Sequence, residues 1–262
     1  MDVQSYLNRL DLESPGERDL DLLQRVHERH LLNIPFENLD IHRGVPIVLD
    51  EERILRKIVT DGRGGFCYEL NIAFAWLLRH LGFEVGVLSA EVAKPDGTWG
   101  IPFDHMTLRV ELDRPFLADV GFGDSFRYPL VLDAATEVEQ LGYIYRIRQQ
   151  PQQPQQPQQP QQEDWWYLDR QPEGAALFQP QYRFTLEPRK LEDFTNGCHY
   201  HQTSPHSHFT QNTICSKALE DGRVTLLPDR LVTTHASTKQ ETPIRERTEW
   251  EEALQTHFGM SA

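Results

Sequence analysis

The stretch "RGGFCYELNIAFAWLLRHLG", residues 63–82, sets a cysteine directly after Gly-Gly-Phe and at the head of a long apolar run. The second half of that run is apolar nearly all round, which predicts a buried central helix, and Gly82 suits the residue just past its end. A cysteine buried only for packing has no need of this address, whereas a reactive one does. A free thiol has a pKa near 8.5, so only about 3% is thiolate at pH 7. A helix N-terminus adds partial positive charge and unpaired N–H donors, which favour the thiolate. Lowering the pKa to ~6 would make the thiolate about 90% of the population, a stabilisation of roughly 3.4 kcal/mol. A helix end rarely supplies that much, so a nucleophilic Cys67 calls for a histidine. Gly64 and Gly65 then read as letting the chain turn sharply and a substrate approach the sulfur, with nearby N–H groups free to hold an oxyanion.

Upstream, the pattern is helical. In "ESPGERDLDLLQRVHERHLL", Ser14 reads as an N-cap, Pro15 as the first helical position and Glu17 as the partner in a capping box. Leu20, Leu23 and Val26 begin an apolar face that His27 interrupts and Leu31 resumes, and Pro35 stops the helix. A second helix is expected after Asp50 in "DEERILRKIVTDG", with acidic residues in its first turn. From Phe83 the period changes. "FEVGVLSAEV", "HMTLRVEL", "FLADVGF", "YIYRIRQ" and "WWYLDR" read as short strands of an antiparallel sheet or small barrel. Between the last two lies "PQQPQQPQQPQQ" at 151–162, which cannot bury a core and reads as an enlarged hairpin tip. The tail reads as irregular over "FTNGCHYHQTSPHSHFTQNTIC", as strands over "GRVTLLPDRLVTTH", and as a closing amphipathic helix over "IRERTEWEEALQTHFGM". Three regions result: helices over 1–83 carrying the cysteine, strands over 84–189 with the 151–162 insertion, and a smaller α/β region over 190–262.

Composition narrows the function. The chain has 262 residues and a formal net charge of −14, which argues against a nucleic-acid surface but allows a local pocket for a phosphate-bearing small molecule. No run approaches the ~20 apolar residues of a membrane span. The start, "MDVQSYLNRLDLESPGERD", lacks the basic and apolar regions of a signal peptide. Three cysteines with no paired spacing fit a reducing, cytoplasmic setting.

Among eleven histidines, His105 stands out because "PFDHMTLRVEL" would hold it on a strand, sharing a face with Phe103, Thr107 and Arg109. Asp119 lies in the next strand-like run, "FLADVGFG", where an unpaired carboxylate would be costly. A carboxylate bonded to one imidazole nitrogen fixes the tautomer and stabilises the charged ring, giving a Cys-His-Asp triad. The register raises a difficulty: a tight turn at Asp113-Arg114-Pro115 sets Asp119 opposite Arg109, so a bulge or an earlier turn is required. Cys67 as a small buried hydrophobe, His105 as a core histidine and Asp119 as a strand-end residue stay open on these grounds alone. Cys198, His199, His201, His206 and His208 invite a zinc reading, but their spacings follow no common finger, and a loop without metal is expected.

In this order and spacing, "RGGFCYELN", "FDHMTLRV" and "ADVGFG" closely resemble the arylamine N-acetyltransferase family. "IPFENL" upstream, "SPHSHF" downstream and a final helix ending in "FGM" extend the resemblance over most of the chain. It implies an α+β fold of N-terminal helical bundle, central antiparallel β-barrel and C-terminal α/β lid around a cysteine-protease-like core. It implies Cys67, His105 and Asp119 as the catalytic triad and acetyl-coenzyme A as acyl donor, with an aromatic amine or hydrazine as acceptor in xenobiotic metabolism. Phe36, Phe122 and Phe126 become candidates for the wall around the acceptor ring, and Gly123 and Phe209 for the coenzyme A site. The 151–162 run is not a feature of the family. A Cys-His-Asp hydrolase or transglutaminase-like enzyme remains an alternative, as do an amide synthase of natural-product biosynthesis within the family and an inactive scaffold.

Overall fold

The computed structural model describes residues 1–150, 164–236 and 238–261, so the Pro-Gln-Gln run at 151–162 lies outside the described residues. The N-terminal helices are α1 (Val3–Arg9), α2 (Leu20–Asn33), α3 (Leu39–Arg43), α4 (Glu51–Leu55), continued by a π-helical turn at Arg56–Thr60, and α5 (Cys67–His80), with a short strand β1 (Phe36–Glu37) between α2 and α3. Among the described residues no helix is long and apolar enough to cross a membrane.

α2 starts later than its sequence pattern suggests. Asp19, not Ser14, caps it by accepting from the Leu22 N–H at 2.9 Å. Gly16 lies between the two candidates with φ +85°, a left-handed conformation that interrupts any helix begun at Pro15. α4 does begin after Asp50, whose carboxylate accepts from the Arg53 N–H. α5 is buried from Cys67 through Leu78, as its apolar run requires, and Gly82 follows it with φ +88°.

Eight antiparallel strands follow: β2 (Glu84–Val92), β3 (His105–Glu111), β4 (Pro115–Ala118), β5 (Leu130–Val131), β6 (Glu137–Gln140), β7 (Tyr143–Gln149), β8 (Trp166–Pro172) and β9 (Gln179–Phe184). Their order, β5-β4-β3-β2-β9-β8-β7-β6, is that of a barrel left open between β5 and β6. The Gln140 side chain spans that seam, accepting from the Arg127 and Tyr128 N–H groups and donating to the Tyr128 carbonyl. Leu88, Leu117, Tyr145, Leu168 and Tyr182 fill one side of the sheet. Met106, Leu108 and Val110 join the helical core around α5.

The chain then forms a 3₁₀ turn at Leu191–Phe194, α6 (Thr195–Thr203), α7 (His208–Gln211), the strands β10 (Cys215–Leu219), β11 (Gly222–Leu226), β12 (Arg230–His235) and β13 (Thr238–Pro243), and α8 (Arg247–Phe258). The segment expected to be irregular is therefore largely helical. Its histidines and polar residues hide the period, yet Gly197, Cys198 and His201 form one buried face. β1 pairs with β10, Phe36 opposite Ser216, so the last sheet is edged by chain from the N-terminal helices.

Candidate active site

Cys67 is the first residue of α5 and only 3% exposed. The turn before it is held by Glu69, whose Oε2 accepts from the Phe66 N–H at 3.1 Å. The two glycines serve this packing rather than substrate access. A Cβ on Gly64 would lie 2.0 Å from the Pro35 carbonyl oxygen, and one on Gly65 would lie 2.7 Å from the Glu69 Cβ.

One turn further on, Asn71 shares the face of α5 that carries Cys67. Its amide nitrogen donates to the Met106 carbonyl at 2.7 Å and to Asp119 Oδ1 at 3.0 Å, while its oxygen accepts from the Val120 N–H at 3.1 Å. Asn71 thus ties the nucleophile's helix to the strand holding His105 and to the segment holding Asp119. Gly121 completes the join, since a Cβ there would fall 2.9 Å from the Cys67 Cα.

The register difficulty is resolved by an earlier turn. Leu108 faces Ala118 and Glu111 faces Pro115, so the hairpin is centred one residue before Arg114. β4 ends at Ala118, leaving Asp119 next in line with Thr107 and diagonal to His105 on the same face. His105 Nε2 and Asp119 Oδ2 are 2.7 Å apart, with both side chains buried. A carboxylate only accepts, so Nε2 carries the hydrogen and Nδ1 is left as the free acceptor. Burial alone would raise the Asp119 carboxyl. His105, the Asn71 amide and the Gly121 N–H, at 2.9 Å, hold it below its ordinary value instead.

Burial pushes the Cys67 thiol well up, and the Asp104, Cys198 and Asp119 charges add to the effect. Transfer of the thiol proton to a neutral base would leave the pair neutral overall and so avoid the cost of a lone buried thiolate.

The other candidates divide. Phe122 packs edge-on to the His105 ring at 5.2 Å and also meets Tyr182. Phe36 and Phe209 face each other at 5.9 Å, and Phe209 meets Phe66 beside the nucleophile. Gly123 has φ +90° and gives its carbonyl to Arg223. Phe126 differs: it is 1% exposed, stacked on His27 and edge-on to Tyr145, with no open face for a substrate ring. In the histidine-rich segment, His201 is buried between the Asp104 carbonyl and Ser207, and Cys198 packs under Ile47 and Gln202. His199, His206 and His208 are exposed. Asn71 and His27, neither of them a candidate site residue from the sequence, both bond Asp119. The signal for Asn71 is a polar residue four after Cys67, on the same face of a helix that is largely apolar.

Comparison with known proteins gives a consistent result. The N-acetyltransferase family model matches residues 19–262. Arylamine N-acetyltransferase 2 of Mesocricetus auratus is 31% identical, covering 100% of this chain and 94% of its own. The solved arylamine N-acetyltransferase of Mycobacterium smegmatis is similar at TM-score 0.87 and 30% identity, over 100% of this chain and 93% of that one. The Mycobacterium marinum arylamine N-acetyltransferase, solved in complex with CoA, is similar at TM-score 0.85 and 27% identity, over 98% and 92%.

Proposed function

The chain belongs to the arylamine N-acetyltransferase family and is an acyltransferase, and we propose that Cys67, His105 and Asp119 carry acetyl from acetyl-coenzyme A to an aromatic amine or hydrazine. The observation that carries the proposal is the Asn71 side chain, which ties the nucleophile's helix to the Met106 carbonyl, next to His105, and to the Asp119 carboxylate that His105 bonds.

The Cys67 proton passes to His105 Nδ1, and the thiolate attacks the thioester carbonyl of the donor. The resulting imidazolium is held by Asp119 through Nε2–H, so the charge pair forms in a site where the ring is already oriented. Collapse of the tetrahedral intermediate expels the coenzyme A sulfur, which takes the proton from His105 and leaves as the free thiol, so that an acetyl-thioester stands on Cys67 and His105 is neutral again. The acceptor amine then attacks that carbonyl, gives a proton to His105, and returns the thiol as the amide leaves. Free N–H groups at the start of α5 are the candidates for holding the oxyanion. Phe36, Phe122 and Phe209 are assigned to the apolar walls, and Gly123 with Phe209 to the approach of coenzyme A. The enclosure of Cys67 favours transfer to an amine over hydrolysis, because a dry site protects a thioester. A cytoplasmic setting and a role in xenobiotic metabolism belong to the same proposal.

Intact mass after mixing the protein with acetyl-coenzyme A alone tests it. One acetyl adduct is expected, absent in Cys67→Ala and discharged by an aromatic amine. An unmodified protein, or equal labelling of the variant, overturns the proposal.

A further inference from the structure

Resting on that triad, we propose that His27 of α2 is a positioning residue that sets Asp119, and through it His105, from the far side of the site. Its ring is fully enclosed, stacked on Phe126 at 5.6 Å and 14° and edge-on to Phe74 at 5.6 Å. Both ring nitrogens are engaged. The Asp119 N–H donates to Nε2 at 3.1 Å, and Nδ1–H donates to the Arg127 carbonyl at 2.8 Å.

These partners admit one state of the ring. A backbone N–H only donates and a carbonyl only accepts, so His27 is neutral, with its hydrogen on Nδ1. Burial holds its pKa down at about 4, which agrees with that assignment.

The position explains the need. β4 ends at Ala118, so the Asp119 N–H has no partner in the ladder, and a buried orphan donor is costly. His27 supplies the acceptor. The same ring fixes residue 127, so it clamps both ends of the loop 120–126. That loop lays Gly121 on the Cys67 backbone and Phe122 on the His105 ring. A packing role alone requires an apolar ring of this size, not a ring whose two nitrogens grip the two ends of that loop.

The two bonds can be separated. In His27→Gln the amide oxygen reaches the place of Nε2 and keeps the Asp119 bond. His27→Asn reaches only the place of Nδ1 and keeps the Arg127 bond. His27→Phe keeps the stacked ring and drops both. The readout is the pH profile of Cys67 alkylation by iodoacetamide in the full chain, which requires no acyl donor and stands apart from the choice of substrate. Cys67→Ala defines the background, and thermal melting confirms that each variant is folded.

His27→Gln is expected to keep the wild-type midpoint and a rate within about threefold. His27→Asn and His27→Phe are expected to move the midpoint up by about one unit and slow alkylation at pH 7 roughly tenfold, because a loosened Asp119 supports the imidazolium less. If His27→Asn does not fold, His27→Phe carries the same test with a flat ring, slightly larger, in place of the imidazole. A wild-type profile in folded His27→Phe overturns the proposal, as does an equal shift in the Gln and Asn variants.

Discussion

Two polar networks meet the first turns of α5 on opposite faces. Glu69 and Asn71 lie about 200° apart around the helix, so one side chain turns toward the ions of β1, α3 and the π-helical turn while the other turns toward the barrel. On the Glu69 side, Lys57 and Arg63 face Glu37, Asp40 and Glu69. Lys57 Nζ is 2.8 Å from both Asp40 and Glu69, and Arg63 is 2.7 Å from Glu37. On the Asn71 side, two imidazoles, an amide and one carboxylate are joined by bonds in which each atom has an assigned donor or acceptor role. Charges attract from many directions, so the first network is a strong but loosely directed clamp on the loop before Cys67. The second fixes orientation, which proton transfer between Cys67 and His105 requires. The difference separates what keeps the helix in place from what makes its cysteine react.

The largest expected effect lies on the directed side. Asn71→Ala removes one of three groups bonded to the Asp119 carboxylate and the tie from α5 to Met106. The single-turnover acylation rate should fall by about 10²-fold, and the melting temperature should fall too, because the buried Val120 N–H and Met106 carbonyl lose this partner. Asn71→Asp should be worse at pH 7, since it sets a second carboxylate against Asp119. Acylation within threefold of wild type in folded Asn71→Ala would break the comparison, because the directed network would then not be what orients the pair.

The next effect lies on the ionic side and has the opposite character. Lys57→Met leaves three largely buried carboxylates with Arg63 as their remaining cation, a loss on the order of 3–5 kcal/mol. Urea unfolding should show it directly. Where the variant is still folded, acylation should remain within about threefold of wild type. A small loss of stability with a large loss of rate would show that the ions act on the chemistry.

Much of this could be read from the residues, and what could not has a physical pattern. Cys67, His105 and Asp119 announced themselves because each is a costly choice for its surroundings: a thiol at a helix start, an imidazole on a strand, a carboxylate in an apolar run. His27 carried the same signal as a polar break in an apolar face, but its purpose depends on where β4 ends, roughly ninety residues later in the chain. The Asp-Arg-Pro signal alone centres the turn one residue too late, and the earlier turn that the His105–Asp119 pairing calls for is set by packing across the hairpin. Gly64 and Gly65 stand out in the sequence, but the neighbours they make room for, Pro35 and Glu69, are set by tertiary approach. Helix α6 is hidden in the sequence because its buried face is made of Gly197, Cys198 and His201, residues no apolar period would select.

The smallest effect sharpens the comparison by pH. Burial raises the Glu69 carboxyl to about 7, despite Lys57 beside it. A carboxyl whose folded value lies above its unfolded one binds protons more tightly in the folded chain. Its contribution to stability is therefore fully present below about pH 4.5 and is lost as pH rises through about 7. Glu69→Gln keeps an oxygen for the Phe66 N–H but cannot titrate, so it should flatten the fall in stability between those values. Urea unfolding at pH 5, 6 and 7 should show the variant gaining on the wild type as pH rises, by at most about 1.4 kcal/mol per pH unit. The Cys67 alkylation midpoint should move by less than in His27→Phe, because Glu69 faces away from the nucleophile's side of α5. A larger shift in Glu69→Gln would mean that the ionic network tunes the thiol after all. The two faces of the helix would then act as one site.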